Sequence, residues 1–250
     1  MVYRLAVLAA LATAAPALAG DAMPDDFVYL RDIDPTIEQD MRYAGPHNFT
    51  GKPVDGYDAA ECVLLRQAAE ALKTVQADVK AEGLTLKVYD CYRPARAVAA
   101  FVAWSKLPDD PSAKATWYPN LTKADLFPGY IATRSSHSRG ATLDLTLVPI
   151  EESAPPADDL KARACTAPQK GHAPDGSLVM GTSFDCFDEK ANTAALGLSE
   201  EERANRDLLV AAMQAHGFKN YPKEWWHFTL EAEPYPDTFF DFPVEPRPAD

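Results

Sequence analysis

The sequence predicts an α+β fold: a single domain on a central, largely antiparallel sheet, with two long helices packed outside it. Three observations lead there. The chain has 250 residues, 47% of them apolar, enough for one full core but not for two independent ones. Two stretches repeat apolar residues at helical spacing, while several others alternate or run apolar over a few residues as strands do. The strands are not regularly followed by helices, which disfavours the runner-up, a doubly wound parallel sheet.

Met1 to Ala19 has one early arginine, an apolar run and the small-residue ending Ala17-Leu18-Ala19. This layout predicts a cleavable signal peptide over 1–19 and a functional domain over 20–250, hence a periplasmic or secreted protein. The apolar run is shorter than the ~20 residues of a membrane span, and no later stretch is apolar enough to cross a bilayer. No stable membrane insertion is expected. Phe27 to Leu30, FVYL, is strand-like, and NFTGKPVDGY is a loop rich in turn formers. From Asp58 to Glu82, Val63, Leu64, Ala68, Leu72, Val75 and Val79 recur at helical spacing, and Gly83 stops the run.

LTLKVYDCYRP, Leu84 to Pro94, is a strand with a sharp exit, and Pro94 suits the first turn of a helix from Ala95 to Trp104. Leu107 to Gly129 is punctuated by prolines and reads as a loop, with Trp117 and Tyr118 covering the core. ATLDLTLV, from Ala141, alternates as a strand does. Residues 150–179 are polar and Pro-rich, an insertion pinned by Cys165. Ser199 to His216 is the second long helix: Ser199 and Glu202 fit a capping box, Leu208, Leu209, Ala212 and Met213 form its apolar face, and Gly217 ends it. EWWHFTLE is a strand, and the Pro-rich tail folds back over the surface. Asn48-Phe49-Thr50 and Asn120-Leu121-Thr122 match the glycosylation pattern; the first reads as loop chemistry.

With 24 Lys and Arg against 37 Asp and Glu, the chain lacks the basic excess that phosphate backbones require, which excludes nucleic acid as the main partner. The four cysteines of an exported chain, Cys62, Cys91, Cys165 and Cys186, predict two disulfides. Of the three possible pairings, Cys62–Cys91 and Cys165–Cys186 are favoured because each joins neighbours in sequence. None has the close spacing that a cysteine zinc site prefers.

The chemistry concentrates in RSSHSRGATLDLTL, Arg134 to Leu147, and EWWHF, Glu224 to Phe228. His137, Asp144 and His227 supply two imidazoles and a carboxylate, the ligand set of a hydrolytic zinc site that keeps its fourth position for water. Glu224, three residues before His227, is then free to serve as base. Gly140 lets the chain turn between His137 and Asp144. Arg93 leaves a strand-to-helix junction where Asp90 can hold it, and a fixed guanidinium beside a metal stabilises a developing oxyanion. His47 and His172 lie in loops and His216 at a helix end, where a cation relieves the carbonyl dipole. Those three read as structural or surface residues.

These residues, with YAGPHNFTGKPVDGY, YDCYRPARAV, MGTSFDCFDE and EPYPDTFFDFPV in the same order, make the chain resemble the zinc-dependent D-alanyl-D-alanine dipeptidases, in the fold group of D-Ala-D-Ala carboxypeptidases and hedgehog signalling domains. The resemblance runs from about Phe27 to Val244. It implies one Zn2+ per chain on His137, Asp144 and His227, Glu224 as base and later proton donor, and Arg93 at the tetrahedral intermediate. It implies that Asp185 receives the substrate ammonium with Tyr43 and Ser135 beside it, and that Ser136 touches the other end. A small D,D-dipeptide is then the substrate, and dipeptide scavenging or peptidoglycan turnover suits an exported enzyme. The alternatives are a D,D-carboxypeptidase or other peptidoglycan peptidase on the same scaffold, and a non-catalytic zinc-stabilised wall-binding module. Structural zinc needs neither Glu224 nor Arg93.

Overall fold

The computed structural model describes residues 22–150, 163–169 and 172–248. In chain order its elements are β1 (Phe27–Tyr29), α1 (Leu30–Ile33), β2 (Glu38–Gln39), β3 (Val63–Leu65), α2 (Arg66–Ala81), β4 (Leu84–Asp90), α3 (Ala95–Ser105), α4 (Pro111–Trp117), β5 (Thr142–Pro149), α5 (Glu200–Ala215), β6 (Phe218–Asn220) and β7 (His227–Leu230). Five strands form one sheet in the order β2-β4-β5-β7-β6, and β1 pairs with β3 in a second. Only β2–β4 is parallel; the other pairs are antiparallel. The α+β class with a largely antiparallel central sheet is therefore observed, and the doubly wound alternative is not.

Strand β5 sits at the centre, and Leu143, Leu145 and Leu147 on it are fully buried. Helix α2 packs against β4, α5 packs against β6, and the two helices touch. The buried face of α2 carries Ala68, Ala69, Leu72, Val75 and Val79, with Gln76 among them. That amide is satisfied by the neighbouring strand: Leu86 N–H donates to its Oε1 at 2.9 Å, and its Nε2 donates to Thr85 Oγ1 at 2.8 Å. On α5 the Ser199–Glu202 capping box forms as expected. The inward face carries Arg206, Leu209 and Met213, whereas Leu208 is exposed, so only part of the expected apolar face points inward.

Three expectations need correction. The first long helix begins at Arg66 rather than Asp58, because Val63, Leu64 and Leu65 are all buried and pair with β1, Leu64 opposite Val28. A buried apolar triplet beside a helical pattern has no period of its own to distinguish it. The Pro-rich stretch after Leu107 contains α4, with Pro111 in its first turn and Asp110 Oδ1 accepting from Ser112 N–H at 2.7 Å; Trp117 and Tyr118 are buried as expected. The tail is not a surface covering: Phe240, Phe242 and Val244 enter the core. Phe242 stacks on Tyr92 with centroids 4.1 Å apart, and the Phe27 ring meets Tyr92, Phe240 and Phe242 edge-on.

Both expected disulfides, Cys62–Cys91 and Cys165–Cys186, are formed. The signal peptide expected over 1–19 lies outside the described residues, as does part of the 150–179 insertion. The described remainder of that insertion is docked by more than Cys165. Asp175 accepts from Arg42 and Tyr89, its carbonyl accepts from Lys87 Nζ at 2.7 Å, and Leu178 N–H donates to Leu147 O at 2.9 Å. Asn48 Nδ2 donates to three backbone carbonyls and Asn120 Nδ2 to Asp188, so both amides of the glycosylation patterns serve the fold.

Gly140 shows how tightly the Phe27 aromatic cluster is joined to the central turn. Its φ is +84°, and a Cβ there would lie 2.3 Å from the Phe27 ring, which its own aromatic neighbours hold in place. Gly51 has a similar φ of +72° with open space around it. Gly51→Ala should cost about 1 kcal/mol from backbone conformation alone, and Gly140→Ala about 2–4 kcal/mol because overpacking adds to it. Equal losses in chemical denaturation would contradict this packing.

Candidate active site

The sheet register brings the chemistry together. Asp144 on β5 lies opposite Asp90 at the end of β4 on one side and His227 at the start of β7 on the other. His137 arrives from a 3₁₀ turn, Ser136–Arg139, which Ser135 caps by accepting from His137 N–H and Gly140 ends in the left-handed region. The His137 Nδ1–H donates to the Cys91 carbonyl at 2.8 Å, so its Nε2 faces the other two residues. His137 Nε2 is 3.3 Å from Asp144 Oδ1 and 3.2 Å from His227 Nδ1, and His227 Nδ1 is 3.2 Å from Asp144 Oδ1.

These three atoms form a near-equilateral triangle. A tetrahedral ion with metal–ligand bonds of about 2.0–2.1 Å has ligand–ligand edges of about 3.3 Å, so the donors fit such an ion without moving. Asp144 Oδ1 is buried and accepts no hydrogen bond from a described residue, a cost that a cation in the triangle would relieve. Burial alone would raise the Asp144 carboxyl, but His137 and then His227 outweigh it and hold it below the usual carboxylate range. Burial likewise lowers His227, yet Asp144 and Glu224 push it up to about 9. Among the described residues this is the one such cluster of histidine and carboxylate donors.

Glu224 stands beside the triangle, its Oε2 3.3 Å from His227 Nδ1. The turn before β7 sets this spacing: Glu224 N–H donates to Tyr221 O, His227 N–H donates to Glu224 O, and Asn220 Nδ2 bridges the carbonyls of both. Trp225 and Trp226 between them are buried, and Trp225 Nε1 donates to Thr182 Oγ1 at 2.8 Å. The two tryptophans therefore anchor the turn while the carboxylate and imidazole remain on the pocket wall.

Opposite them, Arg93 donates through Nε and Nη2 to Asp90 Oδ2 at 2.9 and 2.8 Å, with Nη2 3.7 Å from Asp144 Oδ2. The guanidinium lies over the Tyr43 and Phe101 rings, 5.1 Å from each centroid. Burial works against its charge, but Asp90, with Tyr43, Tyr57 and Asp144 adding to it, outweighs burial and keeps Arg93 protonated well above the ordinary arginine range. Asp90 is fully buried and accepts from Tyr57 Oη at 2.6 Å.

Asp185 has a different environment. It takes φ +59°, and Tyr43 Oη lies 2.8 and 3.0 Å from its carboxylate oxygens. No ion pair with a described residue offsets its burial, which, with Asp144 adding to it, pushes the carboxyl well above its ordinary range. A cavity of about 180 Å³ is lined by Tyr43, Arg93, Ser135, Ser136, His137, Asp144, Asp185, Glu224 and His227, so every site residue expected from the sequence faces one space. Ser136 Oγ sits 3.3 Å from His227 Nε2. The cysteines do not line it. His47 meets Arg42, and His216 links Thr74 of α2 to the end of α5 with Asp78, away from the pocket. Sequence reasoning did not find Tyr57 or the Cys91 carbonyl. Tyr57 is one turn residue among many, and a backbone acceptor leaves no trace in side-chain spacing.

A family model described as D-ala-D-ala dipeptidase matches residues 23–175 and 164–245. Proteins named D-alanyl-D-alanine dipeptidase are similar along most of the chain. The one from Streptomyces coelicolor is 41% identical and the one from Enterococcus faecalis 39%, each over 89% of this chain and 100% of its own length. The one from Escherichia coli is 31% identical over 84% of this chain and 88% of its own length.

The Asp90–Arg93 pair yields a stability prediction. Asp90→Asn keeps the shape but leaves a largely buried guanidinium without its carboxylate, at a cost of up to about 3–5 kcal/mol. Tyr57→Phe removes one hydrogen bond to a charged group, worth about 1.5–3 kcal/mol. Denaturation of the metal-free proteins should rank them in that order; the reverse ranking would contradict the ion pair as the dominant constraint.

Proposed function

The chain belongs to the D-ala-D-ala dipeptidase family, a family of metal-dependent peptidases, and from that premise we propose that it is a zinc dipeptidase hydrolysing D-alanyl-D-alanine to two D-alanines. The observation that carries the reading is one pocket with three different kinds of carboxylate. Asp144 belongs to the donor triangle, Glu224 stands beside it, and Asp185 is buried without an ion-pair partner among the described residues.

His137 Nε2, Asp144 Oδ1 and His227 Nδ1 would hold one zinc ion per chain. When bound, zinc supplies Lewis acidity toward the peptide carbonyl and makes water acidic enough to lose a proton near neutral pH. Glu224 takes that proton and returns it to the leaving amine. Arg93, held by Asp90, directs its guanidinium at the oxyanion that develops on the carbonyl. Ser136 contacts the far end of the dipeptide.

Asp185 makes the enzyme count from the amino end. An ammonium placed against it, with Tyr43 and Ser135 alongside, supplies the opposite charge that its burial otherwise lacks. An acylated substrate has no ammonium and an extended one carries an amide at that position, so either leaves the carboxylate unpaired and is rejected. This favours a dipeptidase over a D,D-carboxypeptidase. Export to an oxidising compartment is part of the same reading, and the two disulfides support it.

The zinc-loaded protein should release alanine from D-Ala-D-Ala and leave N-acetyl-D-Ala-D-Ala and a stem pentapeptide intact, with L-Ala-L-Ala as the stereochemical control. Preferential cleavage of the pentapeptide would replace this reading with the carboxypeptidase one. Zinc analysis beside alanine release separates the roles further. Glu224→Ala should keep about one zinc per chain and lose nearly all turnover, and His227→Ala should lose both. Arg93→Ala should keep zinc and slow turnover by about 100- to 1000-fold. Ordinary turnover in Glu224→Ala would refute its assignment as base.

A further inference from the structure

Asp185 is the one non-glycine among the described residues with a positive φ. A side chain in that region is strained, and such strain persists only where the surroundings over-determine the backbone. The surroundings here converge on Cys165. Its carbonyl accepts from Ser183 N–H at 2.9 Å, and its sulfur is bonded to Cys186. One residue thus grips the chain two positions before Asp185 and one position after it.

Cys165 is itself anchored, since its N–H donates to the carbonyl of Thr116 on α4 at 2.7 Å, and Phe187 N–H donates to Trp117 O at 2.9 Å. Phe184 stacks on Tyr89 with centroids 4.6 Å apart. Farther out, Arg206 donates to the carbonyls of Met180, Lys190 and Asn192, fixing both ends of the same segment from α5.

We propose that the Cys165–Cys186 disulfide is a positioning element of the amino-end subsite, holding Asp185 in the backbone conformation that turns its carboxylate toward Tyr43 and the pocket. The inference rests on the ammonium-binding role proposed above for Asp185. The described stretch 163–169 thereby acquires a role in selectivity, since it carries Cys165, and Cys165 clamps the residue that selects free dipeptides. Without the bridge, the peptide around Asp185 relaxes toward negative φ, the carboxylate swings out of register, and selectivity for a free ammonium weakens. Metal binding and the proton transfers at Glu224 remain, because none of their residues is held by this bridge.

The test compares the zinc-loaded Cys165→Ser/Cys186→Ser protein with wild type, Asp185→Asn and the buried-core variant Leu72→Ala. The double cysteine variant should raise KM for D-Ala-D-Ala by about tenfold or more with kcat within about threefold, lose a similar factor of discrimination against the N-acetylated dipeptide, and keep one zinc per chain. Leu72→Ala should lower Tm without moving KM. A double variant that loses Tm but keeps the wild-type KM would overturn the proposal and leave the bridge a plain staple. Should that variant fail to fold, graded phosphine reduction of the folded holoenzyme, with thiol mapping, replaces it. KM rising with the fraction of Cys165–Cys186 opened supports the clamp, and an unchanged KM after full opening overturns it. If Asp185→Asn also leaves KM unmoved, the ammonium role and the clamp fall together; if Asp185→Asn raises KM and the cysteine variant does not, the clamp alone falls.

Discussion

Asp144 is a carboxylate on the central strand of the sheet, buried at the wall of the pocket, with one oxygen that accepts no hydrogen bond from a described residue and has two imidazole nitrogens as near polar neighbours. An oxygen in that situation costs free energy unless a cation reaches it. Much of the structure serves to keep it there. Strand β5 is buried along nearly its whole length, β4 and β7 flank it in fixed register, and His137 is locked by the Cys91 carbonyl. A shift of one residue in either pairing would turn Asp144 or His227 to the opposite face, so the leucine ladder of β5 fixes the donor triangle as surely as it fixes the core.

Around that centre the remaining charges are sorted by how they are balanced. Arg93 is bound to Asp90, which Tyr57 also holds, so the cation beside Asp144 is fixed in place. Glu224 is tethered only through the turn to His227 and faces the pocket. Among the described residues the Asp185 side chain is hydrogen-bonded by the Tyr43 hydroxyl alone, and burial keeps it reluctant to carry charge. The ligand, base and ammonium-receptor roles proposed for Asp144, Glu224 and Asp185 fall to chemically similar groups whose surroundings differ.

The donor residues were legible in the sequence because short-range rules dictate them. His227 and Glu224 share one turn, and His137 and Asp144 are joined by a glycine turn and an alternating strand. The capping box at Ser199 and both disulfides were equally local. What escaped depends on distant packing. Val63–Leu65 is a strand only because Phe27–Tyr29 lies beside it, and the tail aromatics enter the core because Phe27 and Tyr92 leave a slot for them. Helix α4 was hidden by its prolines, although Asp110 followed by Pro111 is itself a start signal. The left-handed backbone at Asp185 had no signal, since an aspartate there looks like any turn residue.

In the proposed enzyme, two imidazoles and one carboxylate, brought together by the sheet and by the 3₁₀ turn that carries His137, hold a tetrahedral zinc. X-ray absorption at the zinc edge of the loaded protein reads that coordination. The expected result is a four-coordinate site of nitrogen and oxygen donors at about 2.0–2.1 Å with the scattering signature of two imidazoles. A sulfur shell near about 2.3 Å, or a six-coordinate oxygen environment without imidazole, would contradict it.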